Sequence, residues 1–422
     1  MQLNAILDVD LIALESEDRI SVLLELTAPE TPSSGKRAPG TLQLVLDRSG
    51  SMADGRLGAA KQAIDALITR LDPTDNFGLV TFESGVQVAV PATPLVDKDR
   101  VRELVGRIYS GGMTNLSGGF LRGIQEARRV KGEGGATLVL LSDGHANQGI
   151  VESDRLQSMA RAAQGRGVVT STIGIGLGYD ELLMDAISRG GGGNAHFAEQ
   201  GDEAGAAIAT EVDHLLDQAV QAASLTVRPT WDVDTVALFN DLPVASIADG
   251  FMVELGDFYS GEERKLLLTI EVPAMASLGA VTVCELELSY VSAIDMKSET
   301  ITIPVNVNVV PGDVAAGRVP DAKVRTELAF QKAQRDKGAA ADRLRSGDAS
   351  SASRLYKEAG QRLEAAGAEA PDPIREEIAR EARLLADLGE RALWEDASRV
   401  AKFTDADRHM KARKRGRRPN QS

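Results

Sequence analysis

Cysteine is almost absent: Cys284 is the single one in 422 residues. That excludes an intrachain disulfide framework and fits a reducing compartment. It lies in an alternating strand pattern with no histidine nearby, so it reads as a buried structural thiol and not a nucleophile. Aromatic residues make up 4% of the chain against 43% hydrophobic residues overall, so the interior is mostly aliphatic but large enough for sizeable cores. No apolar run approaches the ~20 residues of a membrane span. Residues 1–8 lack the basic and long apolar regions of a secretion signal. The expected compartment is therefore the cytoplasm, with no membrane partner. A net charge of -15 disfavours nonspecific attraction to nucleic-acid phosphates or anionic lipid. The phosphate cradle G-x-x-x-x-G-K-[ST] is missing, so no nucleotide-hydrolysing domain is expected and the run Gly190-Gly191-Gly192-Gly193 reads as a flexible loop. The nucleophile elbow G-x-S-x-G is missing too, because Arg48-Ser49-Gly50 lacks the preceding glycine.

What is present points to several domains, since about 150 residues per domain gives two or three here, and three are expected. Residues 20–26 read as a strand, followed over residues 28–40 by a linker holding Pro29, Pro32 and Pro39. From Thr41 apolar strands alternate with amphipathic helices, the pattern of a doubly wound, mostly parallel, Rossmann-like sheet. Strands are expected at 42–46, 77–82, 86–90, 137–141 and 169–175, and helices near 57–71, 99–108, 116–129, 153–164 and 180–188. Glu83-Ser84-Gly85 is too short for a helical crossover, so its two strands form an antiparallel edge hairpin. A short strand at His196-Phe197 and a helix over 202–221 complete the layer.

Residues 223–310 carry β-rich runs at 224–227, 265–272, 281–291 and 301–309 and no helical period, which predicts a β-sandwich. Strand 20–26 has no partner of its own and is expected to pair into that sandwich, making the α/β domain an insertion between sandwich strands. From Asp313 the composition turns to Ala, Arg, Glu and Leu at helical spacing, broken at Gly347 and Pro371-Asp372-Pro373, which predicts a helical hairpin or small bundle. The expected division is residues 1–38 for the N-terminal strand region joining the sandwich, 39–221 for the α/β domain, 222–311 for the sandwich, 312–407 for the helices and 408–422 for a basic tail.

The chemistry concentrates at strand ends. The first α/β strand ends in Leu46-Asp47-Arg48-Ser49-Gly50-Ser51-Met52, so a carboxylate and two hydroxyls leave its carboxyl end together. Alone, such a segment also fits a turn that caps the next helix. Gly111-Gly112-Met113-Thr114-Asn115 brings a further hydroxyl into a helix start, and the fourth strand ends Leu140-Leu141-Ser142-Asp143-Gly144. If that strand returns beside the first, Asp47 and Asp143 emerge as neighbours where the winding reverses, with Thr114 on the adjoining loop. Hard oxygen donors without histidine or thiol select Mg²⁺, or Mn²⁺ as its substitute, over zinc or copper. His145, close to Ser142 and Asp143, imitates a hydrolase triad, but residues on one turn cannot hold a nucleophile, base and orienting acid in line. It reads as a rim residue, His196 and His214 as ordinary helix or strand residues, and the protein as no enzyme.

The segments D-R-S-G-S-M, G-G-M-T-N and L-L-S-D-G, in that order on that topology, resemble the metal-ion-dependent adhesion site (MIDAS) of von Willebrand factor A (VWA) domains. The leading strand, inserted domain, sandwich and helical tail resemble the bacterial, intracellular relatives of inter-alpha-trypsin inhibitor heavy chains. The resemblance implies metal ligation by Ser49, Ser51 and Thr114 directly and by Asp47 and Asp143 mainly through water. It further implies capture of a partner protein's Asp or Glu by the ion. The alternative is an accessory subunit of an AAA+ ATPase machine, similar to the A-domain subunits of metal chelatases. A metal-dependent hydrolase is the weaker enzymatic alternative, because the loops supply no obvious general base. Nucleic acid has a foothold only in the basic stretch from Arg408, which lacks the aromatic residues that stack on bases and otherwise reads as a solvated tail or one folded back on acidic surface.

Overall fold

The computed structural model describes residues 1–422 except 31–38, 54, 133–134, 144, 177, 199–202, 204, 209–217, 231–232, 234, 241, 243, 294–296, 369 and 414–422, and the side chains of 373, 409, 410, 412 and 413. The described residues form three sheets, helices packed on one of them, and a set of C-terminal helices.

The α/β layer is built on β4 (Thr41–Asp47), all of whose residues are buried. Such an apolar run suits a strand covered on both faces. Around it lie β5 (Asn76–Phe82), β6 (Val86–Pro94), β7 (Ala136–Ser142), β8 (Val168–Ile175) and β9 (Gly192–Ala198), in the order β6-β5-β4-β7-β8-β9. All neighbours are parallel except β5 and β6, the expected edge hairpin. The chain winds from β4 to β5 and β6, then crosses back to set β7 on the other side of β4, so the winding reverses between β4 and β7. One face packs on α1 (Arg56–Arg70), which buries Leu57, Ala60, Ile64, Leu67 and Ile68 at helical spacing against Leu42, Leu44 and Leu46. The other face packs Val45 and Phe82 against α3 (Leu116–Val130), α4 (Ser153–Gln164) and α5 (Glu181–Gly191). The short α2 (Lys98–Gly106) lies on the first face.

The glycine run that reads as a flexible loop is instead a packed joint: Gly190 and Gly191 close α5, and Gly192 and Gly193 open β9. A Cβ on Gly190 would meet the Gln157 carbonyl at 2.3 Å and one on Gly193 the Thr170 carbonyl at 2.2 Å. The absent side chains let helix and strand approach closely, which composition alone does not separate from flexibility. The helix expected over 202–221 falls largely outside the described residues, and its last four belong to a strand, β10 (Gln218–Pro229).

Two sheets, antiparallel except for one parallel edge pair in the second, share one core. The first has the order β1 (Gln2–Leu7), β3 (Asp18–Thr27), β14 (Glu263–Val272), β11 (Thr235–Leu238). The second has the order β12 (Val244–Ile247), β13 (Gly250–Tyr259), β10, β15 (Gly279–Ser292), β16 (Ser298–Val310), β2 (Leu11–Ala13). β3 pairs along its whole length with β14, and β2 pairs with β16, so segments before and after the α/β layer in sequence meet in space. Val22 and Leu24 of β3 and Leu225, Leu286 and Val305 of the other sheet belong to the same buried cluster. Cys284 lies in this core, where burial pushes its thiol up to about 12.

The tail comprises α6 (Ala322–Arg345), α7 (Ala349–Gly367), α8 (Asp372–Trp394) and α9 (Ala397–Arg413), packed around Phe330, Tyr356, Leu363, Leu385 and Val400. The basic segment from Arg408 is not all tail, because α9 continues to Arg413 and Lys411 pairs with Glu381 at 2.6 Å. Glu381 also bonds Gln334 at 2.9 Å and pairs with the fully buried Lys337, which reaches Asp407 as well. Lys402 of α9 reaches across to the α/β layer, donating to the Tyr179 carbonyl at 2.7 Å and pairing with Glu181 at 3.2 Å.

Burial pushes the Glu381 carboxyl up, but Lys337 and Lys411 outweigh it and take it down to about 2. A depressed carboxylate stabilises the fold above its unfolded value and loses that contribution as pH falls towards about 2. Glu381→Gln leaves the buried Lys337 without one of its two carboxylate partners, which costs about 3 kcal/mol. Urea denaturation near neutral pH should show that loss, and the gap to wild type should narrow once the pH drops below the ordinary glutamate value. A constant gap down to low pH would contradict the pairing.

Candidate functional site at the strand reversal

The reversal between β4 and β7 brings Asp47 and Asp143 side by side. Asp47 is fully buried and both its oxygens are engaged: Oδ1 accepts the Ser49 amide at 2.8 Å and Oδ2 accepts the Ser142 hydroxyl at 2.6 Å. Burial pushes its carboxyl above the usual range, against the pull of the Ser142 and Ser49 hydrogen bonds. Ser51 donates to Asp143 Oδ1 at 2.7 Å, and the Ser49 and Ser51 hydroxyls lie 3.1 Å apart. Asp143 and Ser49 are buried, while Ser51 is exposed, so this chain of oxygens opens to solvent on the Ser51 side. Asp143 Oδ2 takes a hydrogen bond from Arg56 Nη1 at 2.6 Å.

Thr114 arrives from another loop. Its amide donates to Asn147 Oδ1 at 2.9 Å, and its carbonyl accepts the amides of Asn147 and Gln148 at 3.2 and 3.3 Å. That loop is stitched to the β4 end by Gly50 N to the Gly112 carbonyl at 3.2 Å and Gly111 N to the Arg48 carbonyl at 2.8 Å. Asn115 then caps α3 by accepting the Gly118 amide at 3.1 Å. Glu83 in the edge hairpin accepts the Asn115 amide on its carbonyl at 2.8 Å and faces Arg48 at 3.3 Å, and the Ser84 amide holds its carboxyl below the usual range.

All five expected site residues thus gather at one end of the sheet, four of them in or directly beside a single run of hydrogen bonds and Thr114 held by its backbone. The residues that sequence reasoning did not assign to the site are those that hold them: Ser142, Asn147 and Arg56. Ser142 stood inside the L-L-S-D-G segment, where its neighbour drew the attention. Asn147 and Arg56 carry no motif signal and are legible only from the packing. His145 lies on the rim, exposed, with Nδ1 3.5 Å from Asp180 Oδ2. His196 is in β9, and His214 lies outside the described residues.

Among the described residues no three His, Cys, Asp or Glu side chains assemble as a metal cluster, so the donors here are hydroxyls backed by two carboxylates. That set suits a small hard cation. Adjacent ligands of an octahedral ion with ~2.1 Å bonds lie about 3 Å apart, and Ser49 and Ser51 already stand at 3.1 Å.

A doubly wound sheet with hydroxyls and carboxylates presented at its reversal point defines a ligand-accepting α/β domain. Residues 42–211 match the von Willebrand factor type A domain family, and the chain carries a VWA domain there. Domains of this family are protein-interaction modules and often bind a metal ion. The chain is 27% identical over 254 residues to the Synechocystis protein sll0103, covering 58% of this chain and 60% of that one. It is 32% identical over 160 residues to inter-alpha-trypsin inhibitor heavy chain H1 of Mesocricetus auratus, covering 35% of this chain and 17% of that one. The chain therefore spans less than two thirds of the length of these curated relatives. A solved von Willebrand factor type A protein from Catenulispora acidiphila superposes with a TM-score of 0.69 at 16% identity, over 88% of each chain. The ArnB paralog VWA2 from Sulfolobus acidocaldarius superposes at 0.62 and 14% identity, over 96% of this chain and 97% of that one. These likenesses show a shared fold that reaches beyond the α/β layer. Among the described residues, no helix is long and apolar enough to cross a membrane.

Gly112 has φ +80°, and a Cβ there would sit 1.9 Å from Glu83 Oε2. Gly112→Ala should therefore cost about 1–2 kcal/mol through the positive φ alone. Hydrogen exchange should quicken at the Thr114 and Asn115 amides while β4 stays protected; unchanged exchange there would show that the loop does not depend on this glycine.

Proposed function

We propose that the chain is a Mg²⁺-dependent protein-binding module whose site is formed by Asp47, Ser49, Ser51, Thr114 and Asp143. The observation that carries the reading is the paired Ser49 and Ser51 hydroxyls at 3.1 Å, backed by two buried carboxylates and open to solvent on one side. Ser49, Ser51 and Thr114 hold the ion through neutral oxygens, and Asp47 and Asp143 act behind them through water. When bound, Mg²⁺ supplies a concentrated positive charge that a partner's Asp or Glu carboxylate neutralises. Neutral direct ligands leave that charge largely intact, which is why hydroxyls suit capture better than a ring of carboxylates. The hydrogen bonds from Ser142 and the Ser49 amide fix Asp47, and those to Asn147 fix Thr114, so the donors are held in place before a ligand arrives. We read residues 39–221 as the binding unit and the rest of the chain as its scaffold.

Affinity capture with the whole chain as bait tests this. A partner should be retained in Mg²⁺ and lost in EDTA, and lost equally with Asp47→Ala or Thr114→Ala bait that circular dichroism shows to be folded. Equal capture under all four conditions would rule out metal-dependent binding.

A further inference from the structure

The two carboxylates of the site are satisfied in different ways. Asp47 is held by neutral donors, the Ser49 amide and the Ser142 hydroxyl. Asp143 is divided: Oδ1 accepts the Ser51 hydroxyl on the site side, and Oδ2 accepts the Arg56 guanidinium at 2.6 Å. Arg56 Nη1 also donates to the Ser51 carbonyl at 3.2 Å, so one side chain ties together a carboxylate and the backbone of a hydroxyl donor. The Asp143 side chain is fully buried, whereas that of Arg56 is 38% exposed and so borders the solvent from which a partner approaches. Its seat is specific, because Gly176 lies against it and a Cβ there would be 3.2 Å from Nη2.

Resting on the metal-binding reading above, we propose that Arg56 is a positioning residue that sets the charge of the site and thereby selects a single carboxylate as its ligand. Asp47 and Asp143 contribute two negative charges and Arg56 returns one. A divalent ion then leaves the assembly with one net positive charge, which one Asp or Glu side chain neutralises. Without Arg56 the loaded site would be neutral overall and the attraction for an incoming carboxylate would fall, while the divalent ion would be held more tightly because no fixed cation competes for Asp143. Arg56 therefore acts in opposite directions on the two ligands, a pattern that a merely structural residue does not produce. Its guanidinium also orients the Asp143 carboxyl group, leaving Oδ1 turned towards Ser51.

The test uses Mn²⁺ and acetate as probes on the full chain. Electron paramagnetic resonance of free Mn²⁺ gives metal affinity, and water-proton relaxation of the Mn²⁺-loaded protein gives acetate affinity. Arg56→Gln should bind Mn²⁺ tighter and acetate more weakly, each by roughly three- to tenfold for one unit charge at this range, and Arg56→Lys should lie near wild type in both. If both affinities fall together in Arg56→Gln, or neither moves, with thermal unfolding showing the variant folded, the charge-setting role is overturned. If wild type itself binds no Mn²⁺, the site reading fails and this inference fails with it. Tight wild-type Mn²⁺ binding with an unresponsive Arg56 would overturn the inference alone.

Discussion

Asp47 is a carboxylate buried at the end of the strand on which the whole sheet is wound, and the arrangement of the site depends on how that carboxylate is satisfied. An ionised group without exposure is costly unless hydrogen bonds surround it. Here one oxygen draws the Ser49 amide inward, which folds the segment after β4 into the turn that presents Ser49 and Ser51, and the other binds the Ser142 hydroxyl at the end of β7. One side chain thus couples the turn to the neighbouring strand. The same reversal of winding places Asp143 against Ser51 and opens the crevice into which the Thr114 loop is stitched.

The parts outside the α/β layer are bound to it and to each other by specific contacts. β3 and β14 join segments far apart in sequence, and Lys402 links the last helix to the backbone of Tyr179 beside α5. Gly178 lies in the same loop as Tyr179, and a Cβ on it would be 3.4 Å from the Asp143 carbonyl. The helical tail therefore buttresses the loop that borders the site. In the tail itself a buried lysine shared by Glu381 and Asp407 takes the place of part of an apolar core. That network also takes in the start of the basic segment: Arg408 pairs with Asp405, and Lys411 with Glu381 and Asp407.

Much of this was legible in the sequence because hydrophobic periodicity reports burial directly. The strand and helix centres of the α/β layer follow from it, and the short Glu83-Ser84-Gly85 connection fixes the antiparallel hairpin. The three motif segments locate Asp47, Ser49, Ser51, Thr114 and Asp143, because each falls at a strand end or helix start where the topology carries it to one place. What was illegible depends on packing. A run of four glycines looks the same whether it is loose or squeezed against Gln157 and Thr170. The short strands Leu11–Ala13, Thr235–Leu238 and Val244–Ile247 are too brief to show a period, and exist because a neighbouring edge pairs with them. Arg56 and Asn147 are unremarkable surface residue types until the fold points them at Asp143 and Thr114.

The central claim is that the convergent hydroxyls bind a divalent ion. It is tested most directly by a crystal of the protein grown with Mn²⁺, with diffraction recorded to locate the ion by its anomalous scattering. The account predicts a single strong peak among the Ser49, Ser51 and Thr114 side-chain oxygens, at bond lengths close to ~2.1–2.2 Å. A well-ordered site with no peak there, or a peak held by other residues, would contradict it.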